Sequence, residues 1–252
     1  MRYLNLINNI SNWQLYLAAK FGITADDPLR FVTRRGIHVE VPRRLVQTFK
    51  ELFMDECYMK GLGHSVPKTP TIIDVGANAG YFSLFALSRF PGARVFAFEP
   101  LPANFQLLER QRMQNGKKEF TCVQKAVSGE AGTLKLSYDA QDSFSTSATL
   151  FASDSGKLDE INVEAVTLHN IFTEFGIGRC DLLKMDCEGA EYGILYRCPP
   201  EDLARIAQIA LEVHSGPKED ENIDTLEAFL RASGFMTRRR PVGMLWGWRD
   251  ER

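Results

Sequence analysis

The sequence predicts an α/β protein with an open, mostly parallel sheet, helices on both faces of that sheet, and an N-terminal accessory region. Two observations support this fold. From Thr69 onward, short apolar runs alternate with stretches of helical periodicity, and strands that alternate with helices form parallel sheets through right-handed crossovers. Residues 1–66 lack this alternation. We therefore predict an accessory or lid region at 1–66 and a main domain at 67–252.

The composition is that of an ordinary globular protein. The 252 residues are 44% hydrophobic and 25% charged, and 30 lysines and arginines balance 32 aspartates and glutamates. This balance creates no field that attracts nucleic acid or an anionic membrane, so neither is expected as a partner. The five cysteines include no Cys-x-x-Cys pair, which argues against a disulfide framework or a zinc site and favours a reducing, cytoplasmic location.

The accessory region is predicted to contain a helix, a hairpin and a second helix. Apolar residues at helical spacing run to about Phe21, but asparagines interrupt them. We therefore expect a helix packed on the core or on a partner, and neither a signal peptide nor a stable membrane insertion. Residues 31–33 and 37–41 predict the hairpin, and the apolar period over 45–59 predicts the second helix.

The elements of the main domain follow from short apolar runs and helix signals. The predicted strands are 71–75, 94–99, 120–127, 132–136, 161–166, 182–186, 206–213, 235–239 and 244–248. The predicted helices are 81–89, 102–115, 189–197 and 223–232, and Gly116 provides the stop signal for the second of them. Residues 139–156 are rich in Ser, Asp and Ala and predict a loop over a site, and the last two strands predict a closing hairpin.

Small or polar residues stand at four predicted strand ends, where open parallel sheets bind ligands. Gly76 and Gly80 allow the backbone to turn sharply and to approach a ligand closely. The N-terminus of the helix that follows Gly80 can offer amide donors to a carboxylate. Glu99 can accept hydrogen bonds from both hydroxyls of a ribose. The strand-end residues are Asp74-Val75-Gly76, Glu99-Pro100, Ala126-Val127-Ser128 and Asp186.

The glycine spacing distinguishes between nucleotide ligands. Dinucleotide-binding enzymes use Gly-x-Gly-x-x-Gly, whereas Gly76 and Gly80 here enclose Ala77-Asn78-Ala79. A phosphate-binding loop would need a Gly-Lys-Ser/Thr end, which does not follow. The pattern therefore favours a ligand with an amino-acid tail, a ribose and an adenine. A nicotinamide-dependent oxidoreductase and a catalytically silent cofactor-binding module remain as alternatives.

Five stretches carry a specific resemblance. They are residues 74–83 (DVGANAGYFS), 96–105 (FAFEPLPANF), 125–129 (KAVSG), 182–191 (LLKMDCEGAE) and 211–214 (LEVH). In this order the segment from about Thr71 to Ser233 resembles the FkbM family of S-adenosylmethionine-dependent methyltransferases. The resemblance implies a class I, Rossmann-like sheet of seven strands with a reversed last strand, S-adenosylmethionine as the cofactor, and methyl transfer that usually ends on a hydroxyl oxygen.

The resemblance also implies the cofactor contacts, position by position. Asp74 is expected to bind water or the ammonium of the methionine moiety, Glu99 to hold the ribose, and Asn104 with the 125–127 edge to lie near the adenine. The family's serine-rich loop is present only as residues 143–150 (SFSTSATL), a departure from the pattern. The full set expected at the cofactor is Asp74, Gly76, Asn78, Gly80, Tyr81, Ser83, Glu99, Pro100, Asn104, Ala126, Val127 and Asp186.

Candidate catalytic residues lie at two later strand ends. Lys184, Asp186 and Glu188 share one face of an extended strand, and Glu212 and His214 share a face of another. His214 is the preferred general base because its unperturbed pKa lies near neutrality. Asp186 could orient the imidazole or contact the cofactor, and Lys184 could neutralise a carboxylate. A divalent metal on Asp186, Glu212 and His214 is the alternative, and we favour the metal-free mechanism.

These expectations combine into one function. We expect an O-methyltransferase that acts on a hydroxyl of a small molecule, sugar or glycolipid. Residues 1–66 and 139–156 are expected to shape the acceptor pocket or a homodimer contact. Phe31, Tyr58 and Phe144 are candidate lining residues, with core packing as the favoured alternative for Phe31.

Overall fold

The computed structural model describes residues 1–116, 118–138, 159–240 and 243–250. The N-terminal region consists of two short helices, a hairpin and a third helix. Its elements are α1 (Arg2–Asn9), α2 (Gln14–Lys20), β1 (Leu29–Val32), β2 (His38–Val41), a short 3-10 helix (Arg43–Leu45) and α3 (Val46–Phe53). The two strands pair antiparallel, so the predicted hairpin is confirmed.

The main region alternates strands with helices. Its elements are β3 (Thr71–Val75), α4 (Tyr81–Arg89), β4 (Arg94–Phe98), α5 (Pro102–Asn115), β5 (Phe120–Val123), β6 (Ala126–Val127), β7 (Gly132–Tyr138), β8 (Asp159–Val166), α6 (Leu168–Glu174), β9 (Leu182–Met185), α7 (Glu191–Tyr196), α8 (Pro200–Leu203), β10 (Gln208–Glu212), α9 (Ile223–Ala232), β11 (Met236–Arg239) and β12 (Met244–Trp248).

Seven of these strands form the central sheet in the order β11-β12-β10-β9-β3-β4-β5. The pairs β3–β4, β3–β9, β4–β5 and β9–β10 are parallel. The last strand, β12, runs antiparallel to both of its neighbours. The sheet order changes direction beside β3, so the carboxyl ends of β3, β4 and β9 open a crevice at the point where parallel sheets bind ligands. The predicted α/β class and the reversed last strand are confirmed.

Along the strands of the central sheet, successive side chains pack alternately into two apolar clusters, one on each face of the sheet. Ile72 packs into a cluster with residues from α3, α4 and α5, whereas the next residue, Ile73, packs into a cluster with residues from α6, α7 and α9. This alternation is the period of two that an extended strand imposes. The N-terminal region shares the first cluster with the sheet, and this packing holds α3 beside the crevice.

The asparagines that interrupt the first predicted helix have a structural role. Instead of one helix to Phe21, α1 and α2 are separate, because Asn12 donates to the Arg30 carbonyl and accepts from the Val32 amide. Asn9 donates to the carbonyl of Phe53, the last residue of α3. The helix predicted over 45–59 ends at Phe53, earlier than its apolar period suggests.

The strand predicted over 120–127 is two strands. β5 completes the central sheet, while β6 leaves it and pairs with β8 in a separate sheet of order β6-β8-β7. A polar break at Gln124-Lys125 separates the two, and Lys125 forms an ion pair with Glu164 of β8 at 2.6 Å. Among the described residues, no helix is long and apolar enough to cross a membrane.

Candidate active site

A cavity of about 420 Å³ lies at the carboxyl ends of β3, β4, β9 and β10. One side is formed by the glycine-containing loop after β3 and by the residues after β4. The opposite side is formed by the ends of β9 and β10 together with helix α3. Residues that line the cavity include Gln47, Glu51, Tyr58, Gly76, Asn78, Tyr81, Glu99, Pro100, Asn104, Ala126, Val127, Lys184, Asp186, Glu188, Glu212 and His214.

The loop after β3 depends on a glycine at position 76. Gly76 has φ +70°, and an added Cβ would lie 1.8 Å from the backbone oxygen of Asp186. The amides of Gly76 and Ala77 both donate to the Phe98 carbonyl, at 3.1 and 2.9 Å. Asn78, the central residue of the motif, is also left-handed at φ +49°. The loop thus closes tightly against both neighbouring strands, which a side chain at residue 76 would prevent.

Gly76→Ala is expected to destabilise the protein by about 3 kcal/mol or more, since it combines a left-handed backbone with overpacking against a main-chain atom. Thermal unfolding measures the effect. Gly176→Ala is the matched control: Gly176 has φ +58° with nothing within 4 Å of its Cβ position, so only about 1–2 kcal/mol of backbone strain is expected. Equal losses of stability in the two variants would contradict the close contact with Asp186.

Glu99 is a buried carboxylate in the cavity wall, only 4% exposed. Its Oε2 accepts from the Asn78 amide at 2.8 Å, and its Oε1 accepts from the Leu101 amide at 2.9 Å and from Asn104 Nδ2 at 3.4 Å. Burial raises the pKa of Glu99 to about 7 despite these donors. Each carboxylate oxygen has two acceptor positions, so these donors leave one position, on Oε2, for a hydroxyl of a ligand. This chemistry fits the ribose of S-adenosylmethionine.

Asp74, Ser83 and Lys184 form a polar network that holds the loop after β3. Ser83 Oγ donates to Asp74 Oδ2 at 2.7 Å, and Lys184 Nζ lies 3.1 Å from Asp74 Oδ1. Lys184 also donates to the Gly76 carbonyl at 2.8 Å. Burial lowers the pKa of Lys184, but Asp74 and Asp186 raise it above its ordinary value, which keeps the ammonium charged.

Three residues expected at the cofactor do not line the cavity, namely Asp74, Gly80 and Ser83. Asp74 and Ser83 are completely buried and contact each other beneath the loop. Lys184 lines the cavity, and its ammonium faces Asp74, which agrees with the expectation that it neutralises a carboxylate. The other residues expected at the cofactor that lie in the wall are Gly76, Asn78, Tyr81, Glu99, Pro100, Asn104, Ala126, Val127 and Asp186.

The ends of β9 and β10 bring together a histidine and several carboxylates. His214 Nδ1 lies 3.2 Å from Oε1 of Glu191, which is completely buried, and His214 Nε2 lies 3.6 Å from Glu188 Oε2. The Cys187 amide donates to the same Glu191 oxygen at 3.1 Å. Glu191 thus anchors one imidazole nitrogen and leaves the other toward the cavity. The sequence offers Glu191 as a candidate beside Asp186 and Glu188, but it does not show the contact with His214.

The environment of His214 corrects the reason for choosing it as a base. Its hydrogen bond to Glu191 is the main cause that raises its pKa to about 9, with further contributions from the charges of Glu188 and Asp186. The ordinary imidazole pKa therefore does not apply at this position. Below pH 9 the protonated form predominates, and the neutral form that accepts a proton increases as the pH rises.

The possible metal ligands also differ from the predicted set. Asp186, Glu188 and His214 each offer a ligand atom, and these atoms lie within 4.8 Å of one another. Glu212, which was predicted as a ligand, has its Oε2 at 3.3 Å from the hydroxyl of Tyr58. Carboxylate oxygen and imidazole nitrogen could hold a divalent cation, with Glu188 in the place expected for Glu212.

The structure gives different results for the three residues that were expected to line the acceptor pocket. Tyr58 reaches the cavity, where its hydroxyl donates to Asp186 Oδ2 at 2.9 Å. Phe31 is completely buried and stacks on Phe49 with ring centroids 4.4 Å apart, so core packing is confirmed for it. Phe144 and the segment 143–150 lie outside the described residues.

Comparisons with known proteins point to one family. The family model described as the methyltransferase FkbM domain matches residues 74–236. Methyltransferase sdnD of Sordaria araneosa is 31% identical over 227 residues, which cover 76% of this chain and 83% of the relative. The 31-O-demethyl-FK506 methyltransferase FkbM of Streptomyces tacrolimicus is 32% identical over 219 residues, covering 74% of this chain and 80% of the relative.

A solved structure shares the fold. The crystal structure of methyltransferase FkbM from Methylobacillus flagellatus KT superposes with a TM-score of 0.51 at 12% identity and covers 81% of this chain. This chain spans about half of that one, 54% of its length. At this identity the likeness concerns the fold alone.

Proposed function

Because the chain belongs to the FkbM methyltransferase family, we propose that it transfers the methyl group of S-adenosylmethionine to a hydroxyl oxygen of a small molecule, sugar or glycolipid. One observation carries the proposal: the buried carboxylate of Glu99 and the His214–Glu191 pair line or adjoin a single cavity. A carboxylate that could hold the ribose of the cofactor and an imidazole that could take a proton from the acceptor thus adjoin the same cavity.

The cofactor side is formed by the loop after β3 and by the residues after β4. When bound, S-adenosylmethionine supplies a methyl group already activated by the sulfonium. Glu99 would accept from a ribose hydroxyl, while Asn104 and the apolar Ala126 and Val127 would lie along the rest of the cofactor. The protein's task is to align the two reactants and to exclude water, and the cavity is of the size that small-molecule ligands occupy.

The acceptor side must remove the proton of a hydroxyl group. The imidazole of His214 can take this proton on Nε2, because Nδ1 is held by Glu191. The positive charge that forms on the ring would be stabilised by Glu191 behind it and by Glu188 beside it. The name of the Streptomyces relative gives 31-O-demethyl-FK506 as its substrate, which supports oxygen as the methyl acceptor.

Calorimetry and a turnover assay test the proposal. S-adenosylhomocysteine should bind with one-to-one stoichiometry, and NAD should give no heat, because the loop lacks the dinucleotide spacing. Product formation should then be followed by mass spectrometry with a panel of sugars, glycolipids and other hydroxyl compounds. Binding of NAD would support the oxidoreductase alternative, and cofactor binding without turnover on the whole panel would support a silent module.

Removal of divalent metal is expected to leave kcat unchanged within about twofold, because the His214–Glu191 pair can accept a proton without a metal. The protein should be dialysed against EDTA and assayed in metal-free buffer, with a sample returned to Mg²⁺ or Mn²⁺ as the control. A loss of turnover that either ion restores would contradict this expectation and would assign a metal to Asp186, Glu188 and His214.

A further inference from the structure

The cavity has a wall that lies outside the part of the chain matched by the family. The family model matches residues 74–236, but Gln47, Glu51 and Tyr58 also line the cavity. Of these, Tyr58 contacts the carboxylates at the ends of β9 and β10. Its side chain is only 4% exposed, so its hydroxyl must find partners within the protein.

The partners of the Tyr58 hydroxyl are two carboxylates on neighbouring strand ends. The oxygen lies 2.9 Å from Asp186 Oδ2, after β9, and 3.3 Å from Glu212 Oε2, at the end of β10. The phenol has one proton for these two acceptors. The shorter distance indicates that the proton is directed mainly to Asp186. The hydroxyl thus lies between two groups that would otherwise repel each other.

Several contacts fix the position of Tyr58. Trp246 Nε1 donates to its backbone carbonyl at 2.8 Å, and the Trp246 side chain is completely buried. The Tyr58 ring packs edge-on against Phe82, with centroids 5.5 Å apart. Gly61 lies so close to Trp246 that an added Cβ would be 2.1 Å from the indole. These contacts hold the Tyr58 hydroxyl in place at the ends of β9 and β10.

We propose that Tyr58 is a positioning residue of the methyltransferase, which holds the carboxylates of Asp186 and Glu212 in the orientation that the acceptor hydroxyl requires. This inference rests on the proposed function. It makes the segment from α3 to Gly63 part of the active site. The acceptor then binds between this segment and the ends of β9 and β10, on the side of the cavity opposite the loop after β3.

Tyr58→Phe removes the hydroxyl and keeps the ring, so it tests the role with little change in packing. We expect kcat to fall about 10- to 100-fold, the loss typical of a hydrogen bond to a charged group. The affinity for S-adenosylhomocysteine should fall less than kcat does, since Glu99 and the loop after β3 are untouched. Tyr196→Phe is the matched control, because its hydroxyl donates at 3.0 Å to the Asp220 carbonyl, away from the cavity; its kcat should be unchanged.

A double-mutant cycle separates positioning from a general structural role. In an Asp186→Asn background, the additional loss caused by Tyr58→Phe should shrink to below about threefold, because the main acceptor of the Tyr58 proton has already changed. Losses in kcat that multiply independently, or a Tyr58→Phe enzyme with kcat within about twofold of the parent, would overturn the proposal.

Failure of the proposed function has a different signature. If S-adenosylhomocysteine binds but no hydroxyl compound is methylated by the parent protein, the proposed acceptor class is wrong. The role of Tyr58 is then tested by thermal unfolding of the parent, the two single variants and the double variant, each with S-adenosylhomocysteine bound. Coupled shifts of Tm would retain Tyr58 as the residue that orders Asp186 and Glu212, whereas additive shifts would overturn that role.

Discussion

His214→Ala is expected to lower kcat by about 10²- to 10⁴-fold, the range over which a general base contributes. The imidazole lines the cavity and is held by a completely buried carboxylate, Glu191, at 3.2 Å. The affinity for S-adenosylhomocysteine should change little, because Glu99 and the loop after β3 are untouched. His38→Ala provides the control, since His38 is exposed on β2 and should retain full kcat.

The pH dependence of the parent enzyme follows from the same contact. Only neutral imidazole accepts a proton, and the pKa of His214 is raised to about 9, first by its hydrogen bond to Glu191. With S-adenosylmethionine saturating, we therefore expect kcat/KM for the acceptor to rise about tenfold per pH unit below 9 and to level off above it. In Glu191→Gln the hydrogen bond that raises the pKa most is weakened, so the plateau should begin at lower pH. A profile that is flat from pH 6 to 9 in the parent enzyme would contradict the raised pKa of His214.

The sequence predicted the parts of this molecule that depend on local signals. Helices 81–89, 102–115 and 223–232 were predicted with the bounds they have, because each shows a clear apolar period or a distinct start and stop. The strand at 120–127 was wrong at its polar centre, Gln124-Lys125, since periodicity cannot tell which sheet a short strand joins. The contact of Asn9 with the Phe53 carbonyl at the end of α3 could not be predicted, because it joins residues 44 positions apart.

The candidate site shows the same division. Gly76, Glu99 and His214 could be recognised from their positions at strand ends. The contact of Tyr58 with Asp186 could not, because it joins residues 128 positions apart. The sequence also could not show that Lys184 is engaged by Asp74, or that Glu191 raises the pKa of His214. These properties arise only when burial removes water and distant side chains meet.

Glu99→Gln is expected to weaken the binding of S-adenosylhomocysteine by about 10- to 100-fold, since a hydroxyl contact to a charged acceptor is lost. The change also disturbs the protein's own contacts. Both carboxylate oxygens already face donors: the Asn78 amide on one side, and the Leu101 amide with Asn104 on the other. Whichever oxygen becomes an amide nitrogen, a donor then faces a donor.

The ionisation of Glu99 adds a pH signature that separates its role from mere loop support. Burial raises its pKa to about 7, and a ribose hydroxyl donates to the ionised form. Affinity should therefore fall about tenfold per pH unit below 7 and be constant above it, with binding at pH 6 releasing nearly one proton. Calorimetry at pH 6 in buffers of different ionisation enthalpy measures that proton. Glu109→Gln, on the outer side of α5 beside Arg112, should preserve both the affinity and the proton release. Affinity independent of pH between 5.5 and 8 in the parent protein would contradict the raised pKa of Glu99, and unchanged affinity in Glu99→Gln would mean that Glu99 does not hold the ribose.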